Sequence, residues 1–456
     1  MAAVLTSGPV KVPVYNSPLV AACNGGLYFC YPYGTVTAAT GATFRTNVLV
    51  SMAFLNLAIY LTDGSSNVYV MPMSTNVVGT LSASAGTIPP NCFLCCNWRG
   101  RLVLAGDSQN PQNFYMSRVG TPTDFNYAAT DPAAAVAGNL SESGQIGEPI
   151  VALIPYTDDY MLIGCTNSLW MLQGDPADGG SIVRVSDQMG LVSPNAWCVD
   201  PAGLLYFIAR GGLYSVKPIW EFYQPPQLLS GETYDQYFQN IIDGSYYISM
   251  QWDVDAKYMH IFATPTDGST VGQHLIFDQR NGGLWPQAYP LAHGPTATAR
   301  YAANNVNGGQ RAILLGGWDG YIRQWTNTAL NDDGTTILSK ATMGPLKPTP
   351  GAAICKAVTV DFGELTATDE ASSPGNWSAI VSVASGPDAQ SVTQTSSPHS
   401  FSEVVTTLDR RQLTFRQRFR GNFFSLTIGN NVPNTYWSFE SALLEFFPAG
   451  RARDIR

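Results

Sequence analysis

The chain has 456 residues, enough for two or three ordinary domains or for one large domain of repeated units. Only 12% of the residues are charged, whereas glycine, proline, tyrosine and phenylalanine are abundant. An average soluble protein has about 25% charged residues, so this composition excludes a protein of exposed, charged helices and favours sheets and turns. The net charge is −9. The low fraction of charged residues also fits a protein whose surface is largely covered by neighbouring subunits.

The N-terminal segment and the cysteines point to a protein that folds in the cytoplasm. The first 15 residues lack a basic region followed by an apolar core, so we expect no signal peptide. The most apolar stretch, 46–62, is too short to span a membrane as a helix. The eight cysteines have no regular spacing, and Cys92 and Cys95 lack the second ligand pair of a zinc site. We therefore interpret the cysteines as reduced core residues and expect neither a metal nor a cofactor.

Tight turns between short apolar runs are the commonest local pattern. Asp-Gly or Asn-Gly pairs, which tolerate the positive φ angles of hairpin turns, occur nine times. Six segments have the form strand, turn, strand, because runs rich in Val, Ile, Tyr, Phe and Trp flank the turn. These segments are 57–71, 101–117, 160–174, 203–216, 258–285 and 311–325.

The spacing of these segments predicts a β-propeller. A repeat of about 40–50 residues with about four strands is typical of a propeller blade, since one small sheet must stack against neighbours to bury both faces. We therefore predict an all-β fold with a six- or seven-bladed β-propeller of irregular blades over residues 1–342. Two packed β-sandwiches are the second choice, because the hairpin unit keeps recurring and helical patterning is absent.

The pattern changes after this region. Residues 343–353 contain three prolines and two glycines, which predicts a semi-rigid linker. Residues 354–456 are predicted to form a small C-terminal β-sandwich with a basic strand and a basic tail. Its strands are expected at 356–364, 377–386, 413–420 and 423–429, and residues 387–402 are interpreted as a mobile loop.

Motifs for catalysis are missing from the sequence. It has no nucleophile elbow, no zinc-protease motif, no phosphate-binding glycine loop and no dinucleotide fingerprint. His260 and His274 lie in predicted strands beside apolar neighbours, so we interpret them as packed core residues. Paired carboxylates could form a glycosidase site, but turn capping explains each pair more simply. The pairs are Asp158 with Asp159, Asp253 with Asp255, and Asp332 with Asp333. We therefore predict that the protein is not an enzyme.

Basic residues are concentrated near the C-terminal end. The last 52 residues hold eight of the 24 basic residues and carry +4, which leaves −13 on residues 1–404.

In the strand 413–420, alternation places Phe415, Gln417 and Phe419 on one face and three arginines on the other, with about 6.6 Å between neighbouring arginines. This stripe is either a solvated strand face or a surface that binds phosphates or an acidic partner. Because the remaining chain is acidic, we expect a neighbouring subunit or an adaptor to bind it. The candidate interface residues are Arg410, Arg411, Arg416, Arg418, Arg420, Arg451 and Arg453.

Four segments resemble proteins of bacteriophage tails. In 101–127, a strand ending in Gly is followed by Asn-Pro, by a strand ending in Ser and by Gly-x-Pro-x-Asp-Phe. The segments 168–176, 203–216 and 446–453 are similar to the same group. The chain thus resembles the tail nozzle or tail hub family of short-tailed bacteriophages, which includes packaged-DNA stabilisation proteins.

The resemblance implies a structural protein of the virion tail that is assembled in the host cytoplasm. Six subunits would form a ring below the head-to-tail adaptor, continue the DNA channel, help retain or eject the DNA, and carry or adjoin tail fibres or spikes. Genomic DNA would pass an acidic wall without sequence-specific binding, because like charges repel. Residues 128–148 are a candidate channel loop or an ordinary connection. The alternatives are a carbohydrate-binding or polysaccharide-degrading propeller, such as a phage depolymerase or lectin, and a host-derived scaffold propeller.

Overall fold

The computed structural model confirms the predicted all-β class. It describes residues 2–4, 19–30, 36–141, 144–217, 226–231, 234–241, 244–303, 310–326, 329, 331–362, 379–393, 399–405, 412–416, 418–430, 437 and 439–449. The chain divides into two compact units, Met1–Thr326 and Asn327–Arg456. Within the described residues, the helical elements are short. They are Asp235–Ile241, Ala389–Thr393 and two 3-10 turns, Pro176–Asp178 and Leu291–His293.

In the described residues of the first unit, seven sheets have three or more strands, and each is built from strands that are close together in the chain. Neighbouring strands pair antiparallel, except that a short strand joins the second sheet in parallel. The strands of the first sheet are Ala2–Val4, Leu19–Cys23, Gly26–Cys30 and Val36–Ala38; those of the second are Thr40–Gly41, Ser51–Leu55, Ala58–Thr62, Tyr69–Pro72 and Val77–Thr80. Those of the third are Leu94–Trp98, Arg101–Ala105, Phe114–Met116 and Val136–Gly138; those of the fourth are Ile150–Pro155, Tyr160–Cys165, Leu169–Gln173 and Ser181–Ser186.

The remaining sheets of this unit repeat the same plan. The strands of the fifth sheet are Trp197–Val199, Leu205–Ala209, Gly212–Val216 and Gln227–Leu228; those of the sixth are Tyr246–Asp253, Tyr258–Pro265, Gln273–Asp278 and Gly283–Gln287; those of the seventh are Pro295–Ala303, Gln310–Gly317 and Ile322–Gln324. Two short ladders pair Ala85–Gly86 with Asp124–Phe125 and Leu140–Ser141 with Gly144–Gln145. All six predicted hairpins are present as antiparallel pairs.

Neighbouring sheets of the first unit share hydrophobic clusters. Each sheet and the next sheet along the chain, from the first to the seventh, contribute buried side chains to a hydrophobic cluster that the two sheets share. The first strands of several neighbouring sheets also touch, and Pro295–Ala303 of the seventh sheet contacts Ala2–Val4 of the first. The apolar faces of the sheets are therefore buried between sheets.

Aspartates at the ends of strands fix many of the turns. The carboxylates of Asp63, Asp107 and Asp278 each accept a hydrogen bond from the backbone N–H two residues further on, at 2.9 to 3.0 Å. This is the turn-capping geometry for which Asp is favoured. Asp253 has the same role, because it accepts hydrogen bonds from the N–H groups of Asp255 and Ala256. The sequence interpretation of Asp253 as a turn cap is confirmed.

A buried arginine joins the third and fourth sheets. The side chain of Arg101 has no exposed surface, and its guanidinium donates two hydrogen bonds of 3.0 Å to the Asp175 carboxylate. It also donates to the carbonyl oxygens of Ser117 and Ala134. These partners compensate a charge that would be costly to bury alone.

Two sheets of the second unit enclose one core. The eighth sheet contains, in order, Lys340–Leu346, Phe423–Gly429, Ala379–Gly386 and His399–Val405. In the ninth sheet, Ala353–Asp361 is central, with Gln412–Phe415 and Phe419–Gly421 on one edge and Ser441–Pro448 on the other. Side chains from both sheets form a single hydrophobic cluster. A short hairpin, Asn331–Asp332 with Thr335–Thr336, precedes them.

The structure differs from several predicted boundaries. Residues 343–346 of the predicted linker belong to the strand Lys340–Leu346, and the first unit ends at Thr326 rather than at residue 342. Pairing with Phe423–Gly429 supplies the hydrogen bonds that make this proline-containing segment a strand.

The mobile-loop interpretation of 387–402 is wrong for its described residues, which include the helix Ala389–Thr393 and the start of the strand His399–Val405. Residues 128–148 include Val136–Gly138, the outer strand of the third sheet.

The buried ion pair gives a stability prediction. Replacing Arg101 with Met leaves the Asp175 carboxylate buried without its partner, so we expect the free energy of unfolding to fall by about 3–5 kcal/mol. The matched control is Arg99→Met, because Arg99 pairs with Asp159, whose side chain is 78% exposed. The Arg99→Met substitution should lower the free energy of unfolding by at most about 1 kcal/mol. Urea unfolding followed by tryptophan fluorescence measures both values, and equal losses would contradict the assigned role of Arg101.

Candidate interaction face

The predicted arginine strand is broken into two strands. Both strands pair with Ala353–Asp361, and the register places Phe415 opposite Val358 and Phe419 opposite Cys355. Arg416 and Arg418, which lie between the two strands, belong to neither of them. The prediction of one continuous strand over 413–420 is therefore wrong.

The aromatic and the basic side chains differ in burial. Phe415 is buried, and Phe419 packs partly buried against the same core. Arg416, Arg418 and Arg420 are exposed. Gln417 and the other four candidate arginines, Arg410, Arg411, Arg451 and Arg453, lie outside the described residues. The structure thus places three of the seven predicted interface residues.

Apolar side chains lie beside these arginines on the outer face of the ninth sheet. Arg420 is paired in register with Ile354, which is paired in turn with Phe447. Phe447 is 50% exposed, and the ammonium group of Lys356 lies 5.2 Å from the centre of its ring. Leu443, on the same strand as Phe447, is 61% exposed. We call Lys356, Arg416, Arg418, Arg420, Leu443 and Phe447 the basic face.

One end of this sheet is polar and negatively charged. The carboxylate of Asp361 accepts hydrogen bonds from the Ser441 hydroxyl and the Gln412 amide, the latter at 2.8 Å. These two hydrogen bonds hold the pKa of Asp361 below its usual value, so the carboxylate remains ionised. Within the described part of the chain, none of the four cations of the basic face forms an ion pair with a carboxylate. Their charge is therefore available to a partner.

Sequence reasoning missed the apolar half of the basic face. Lys356 lies on the central strand, which pairs with both arginine strands, whereas Leu443 and Phe447 join this face because Ser441–Pro448 pairs with the central strand. In Ser441–Pro448, Ser441 and Glu445 share a parity with Leu443 and Phe447, so the alternation indicates the outward face but not the strand with which the segment pairs. An aromatic ring beside cations is a combination that is enriched at protein interfaces.

The described cysteines do not form a reactive centre. Seven of them are free thiols, and these are buried except for Cys23; they are Cys23, Cys92, Cys95, Cys96, Cys165, Cys198 and Cys355. Burial raises the pKa of Cys92 to about 12 and that of Cys95 to about 11, so both are protonated at neutral pH. Among the described residues, no three His, Cys, Asp or Glu side chains are grouped as metal ligands.

The two histidines that the sequence placed in the core are buried between the sixth and seventh sheets. The His260 ring contacts the Trp325 ring edge to face at 4.6 Å, and its Nε2 atom lies 3.9 Å from an oxygen of Asp253. His274 is 2% exposed, and its Nδ1 atom accepts a hydrogen bond from the Ala263 N–H at 3.3 Å. Burial lowers the pKa of His274 to about 3, so this imidazole is neutral in the folded protein.

Comparisons with known proteins give structural likeness only. No family model matches the sequence, and no curated protein matches it. Solved structures similar to this chain include "Crystal Structure of Mitotic Checkpoint Complex", with 14% identity, a TM-score of 0.43, and coverage of 68% of this chain and 87% of that chain. They also include "YCF48 bound to D1 peptide", with 12% identity, a TM-score of 0.42, and coverage of 72% and 93%. A third is the WD40 beta propeller domain of Doa1, with 12% identity, a TM-score of 0.40, and coverage of 71% and 96%.

None of the helices in the described residues is long and apolar enough to cross a membrane.

The buried histidine predicts a pH-dependent stability. The unfolded chain binds a proton at residue 274 below about pH 6.5, whereas the folded protein does so only near pH 3. Stability is therefore lost as the pH falls through this window, by up to about 1.4 kcal/mol per pH unit. His274→Gln keeps a polar acceptor but cannot titrate, so its stability should fall less between pH 7 and pH 5. Urea midpoints of both proteins across this range measure the effect, and parallel pH curves would contradict it.

Proposed function

We propose that the chain is a structural, non-enzymatic subunit of a ring, as in the tail nozzle or tail hub of a short-tailed bacteriophage. In this proposal, the ring extends the DNA channel below the head-to-tail adaptor and helps retain or eject DNA from the virion tail. Tail fibres or spikes would be further partners. The observation that carries the proposal is the exposed basic face, on which Lys356 lies over the half-exposed ring of Phe447 and three arginines without a carboxylate partner among the described residues are exposed on the same sheet.

The arrangement of the sheets supports a seven-bladed propeller in the first unit. Each of the seven sheets shares a hydrophobic cluster with its neighbour in the chain, and the seventh sheet contacts the first. Contact between the last and the first sheet is what a closed ring of blades requires. The common core of the eighth and ninth sheets supports a C-terminal β-sandwich.

Charge complementarity indicates which surface the basic face binds. The first unit, Met1–Thr326, has 13 basic and 21 acidic residues and thus a net charge of −8. We propose that the basic face of one copy binds the acidic first unit of the next. Such a contact joins two different surfaces, and repeated contacts of this kind close into a ring when the rotation permits. The acidic first unit would also suit a wall past which DNA slides without binding.

Charge reversal on the basic face tests this contact. We expect the wild-type protein to form oligomers at low ionic strength that dissociate as salt is added, because salt screens charges at an exposed interface. Arg416→Glu, Arg418→Glu and Arg420→Glu in one variant should weaken self-association at least about tenfold. Sedimentation velocity and negative-stain images of rings measure the change. Circular dichroism checks that the variant is folded.

A matched control separates the basic face from net charge. Arg184→Glu, Arg210→Glu and Lys257→Glu make the same change in charge at exposed positions of the first unit. This control should associate at least as well as the wild type, because it adds negative charge to the acidic partner surface. A wild-type protein that stays monomeric at low salt would contradict the proposal. So would a basic-face variant that associates as well as the control.

A further inference from the structure

A groove lies between the helix Asp235–Ile241 and the sixth sheet. It consists of two adjoining cavities of about 520 and 500 Å³ that share Asn240 and Gln273 in their linings. The first cavity extends towards the turn 265–270, which follows the strand Tyr258–Pro265. The second extends along the helix towards Gln287 of the outer strand. Because the two cavities adjoin, one extended ligand can contact the linings of both.

Hydrogen bonds hold the tyrosines of this groove in place. The Tyr237 hydroxyl donates to the backbone oxygen of Gln273 at 2.9 Å, and the side-chain amide of Gln273 donates to the Tyr246 hydroxyl at 3.2 Å. The Tyr234 hydroxyl donates to the backbone oxygen of Leu284. Burial raises the pKa of Tyr237, so its phenol stays protonated. The rings are therefore fixed before any ligand arrives, which lowers the entropy cost of binding.

Side-chain amides without a hydrogen-bond partner in the described residues complete the lining. Gln236 and Asn240 line the groove from the helix, and within the described residues neither side chain has a hydrogen-bond partner. Each offers two donors and one acceptor oxygen. Fixed aromatic rings next to free amides combine an apolar surface with hydrogen-bonding groups of both kinds.

The charge of the groove is low and negative. Among the described residues that line it, none is Lys or Arg, and His274 is uncharged because burial lowers its pKa to about 3. Asp267 is the single carboxylate among the described lining residues, and hydrogen bonds from the Ser269 hydroxyl and N–H hold its pKa below the usual value. An ionised carboxylate with no nearby cation disfavours phosphates and other anionic ligands.

We propose that this groove binds a neutral oligosaccharide. The C–H face of a sugar ring can pack on a tyrosine ring, while its hydroxyl groups exchange hydrogen bonds with Gln236, Asn240 and the rim of the turn. A peptide would need apolar pockets for its side chains, whereas aliphatic lining is limited to Leu275 and the prolines Pro265 and Pro286. This binding site goes beyond the proposed role as a ring subunit and uses residues outside the basic face.

Saturation-transfer NMR on the full chain tests the proposal. The probes are hexamers of α-1,4-glucose, β-1,4-glucose, β-1,4-mannose and N-acetylglucosamine, each at millimolar concentration. Hexagalacturonate is the anionic probe, and a Gly-Ser-Ala hexapeptide is the peptide probe. We expect signal transfer to at least one neutral hexamer and weaker transfer to hexagalacturonate and to the peptide.

Two variants of the helix locate the binding. Asn240→Arg places a long side chain in the shared part of the groove and should weaken binding by at least about tenfold. Gln239→Arg is the matched control, because Gln239 is an exposed amide on the same helix and does not line the groove. It should change affinity less than about twofold. Thermal unfolding of both variants shows whether the helix is intact.

Several outcomes would overturn the saccharide site. They are no transfer to any neutral hexamer, equal binding by Asn240→Arg and the wild type, and stronger binding of hexagalacturonate or of the peptide. The variant with three reversed arginines on the basic face should still bind the saccharide. A failure of this proposal is thus distinguishable from a failure of the ring assembly.

Discussion

Burial of apolar surface between small sheets is the interaction on which the first unit depends. The strand Arg101–Ala105 has no exposed residue: Leu102 and Leu104 face the cluster shared with the second sheet, and Val103 and Ala105 face the cluster shared with the fourth. A single four-stranded sheet with two apolar faces cannot exist alone in water. Each sheet therefore requires its neighbours, and the insertion of Arg101 into such a strand requires the compensating carboxylate of Asp175.

The acidic residues of the first unit include both buried turn caps and exposed charges. Asp63, Asp107 and Asp278 cap turns and are buried. Asp159 and Asp267 are exposed at turns of the fourth and sixth sheets, so negative surface charge is distributed over more than one sheet. In the second unit, four exposed cations are instead grouped on one face of the ninth sheet, where three arginines lie within five residues. Distributed negative charge and grouped positive charge favour association of separate copies through long-range attraction.

The two proposed interactions would depend on different chemistry. On the basic face, Lys356 lies over the ring of Phe447 and Arg420 lies across the central strand from it, so charge would attract the partner and apolar contact would follow. In the groove, Asn240 and the fixed ring of Tyr237 offer hydrogen bonds and an aromatic surface without positive charge. Binding at the first surface would be sensitive to salt and binding at the second would not, because only the first depends on ionic attraction.

The sequence by itself determined the class of the fold and its local units. The turn at Asn24 and Gly25, where both residues have positive φ, and the strand Phe423–Gly429 were predictable, because hairpins and alternating strands depend on neighbouring residues. The exposure of Arg416, Arg418 and Arg420 was predictable for the same reason.

Tertiary structure alone decided the domain boundary, the break in the arginine strand and both candidate surfaces. The segment Lys340–Leu346 is a strand only because Phe423–Gly429 pairs with it, and Phe447 joins the arginines only through the central strand Ala353–Asp361. Likewise, Asn240 meets Gln273 through the packing of a helix on a sheet. These contacts join residues far apart in the chain, and their pairing depends on shape and hydrogen-bond partners that no local pattern encodes.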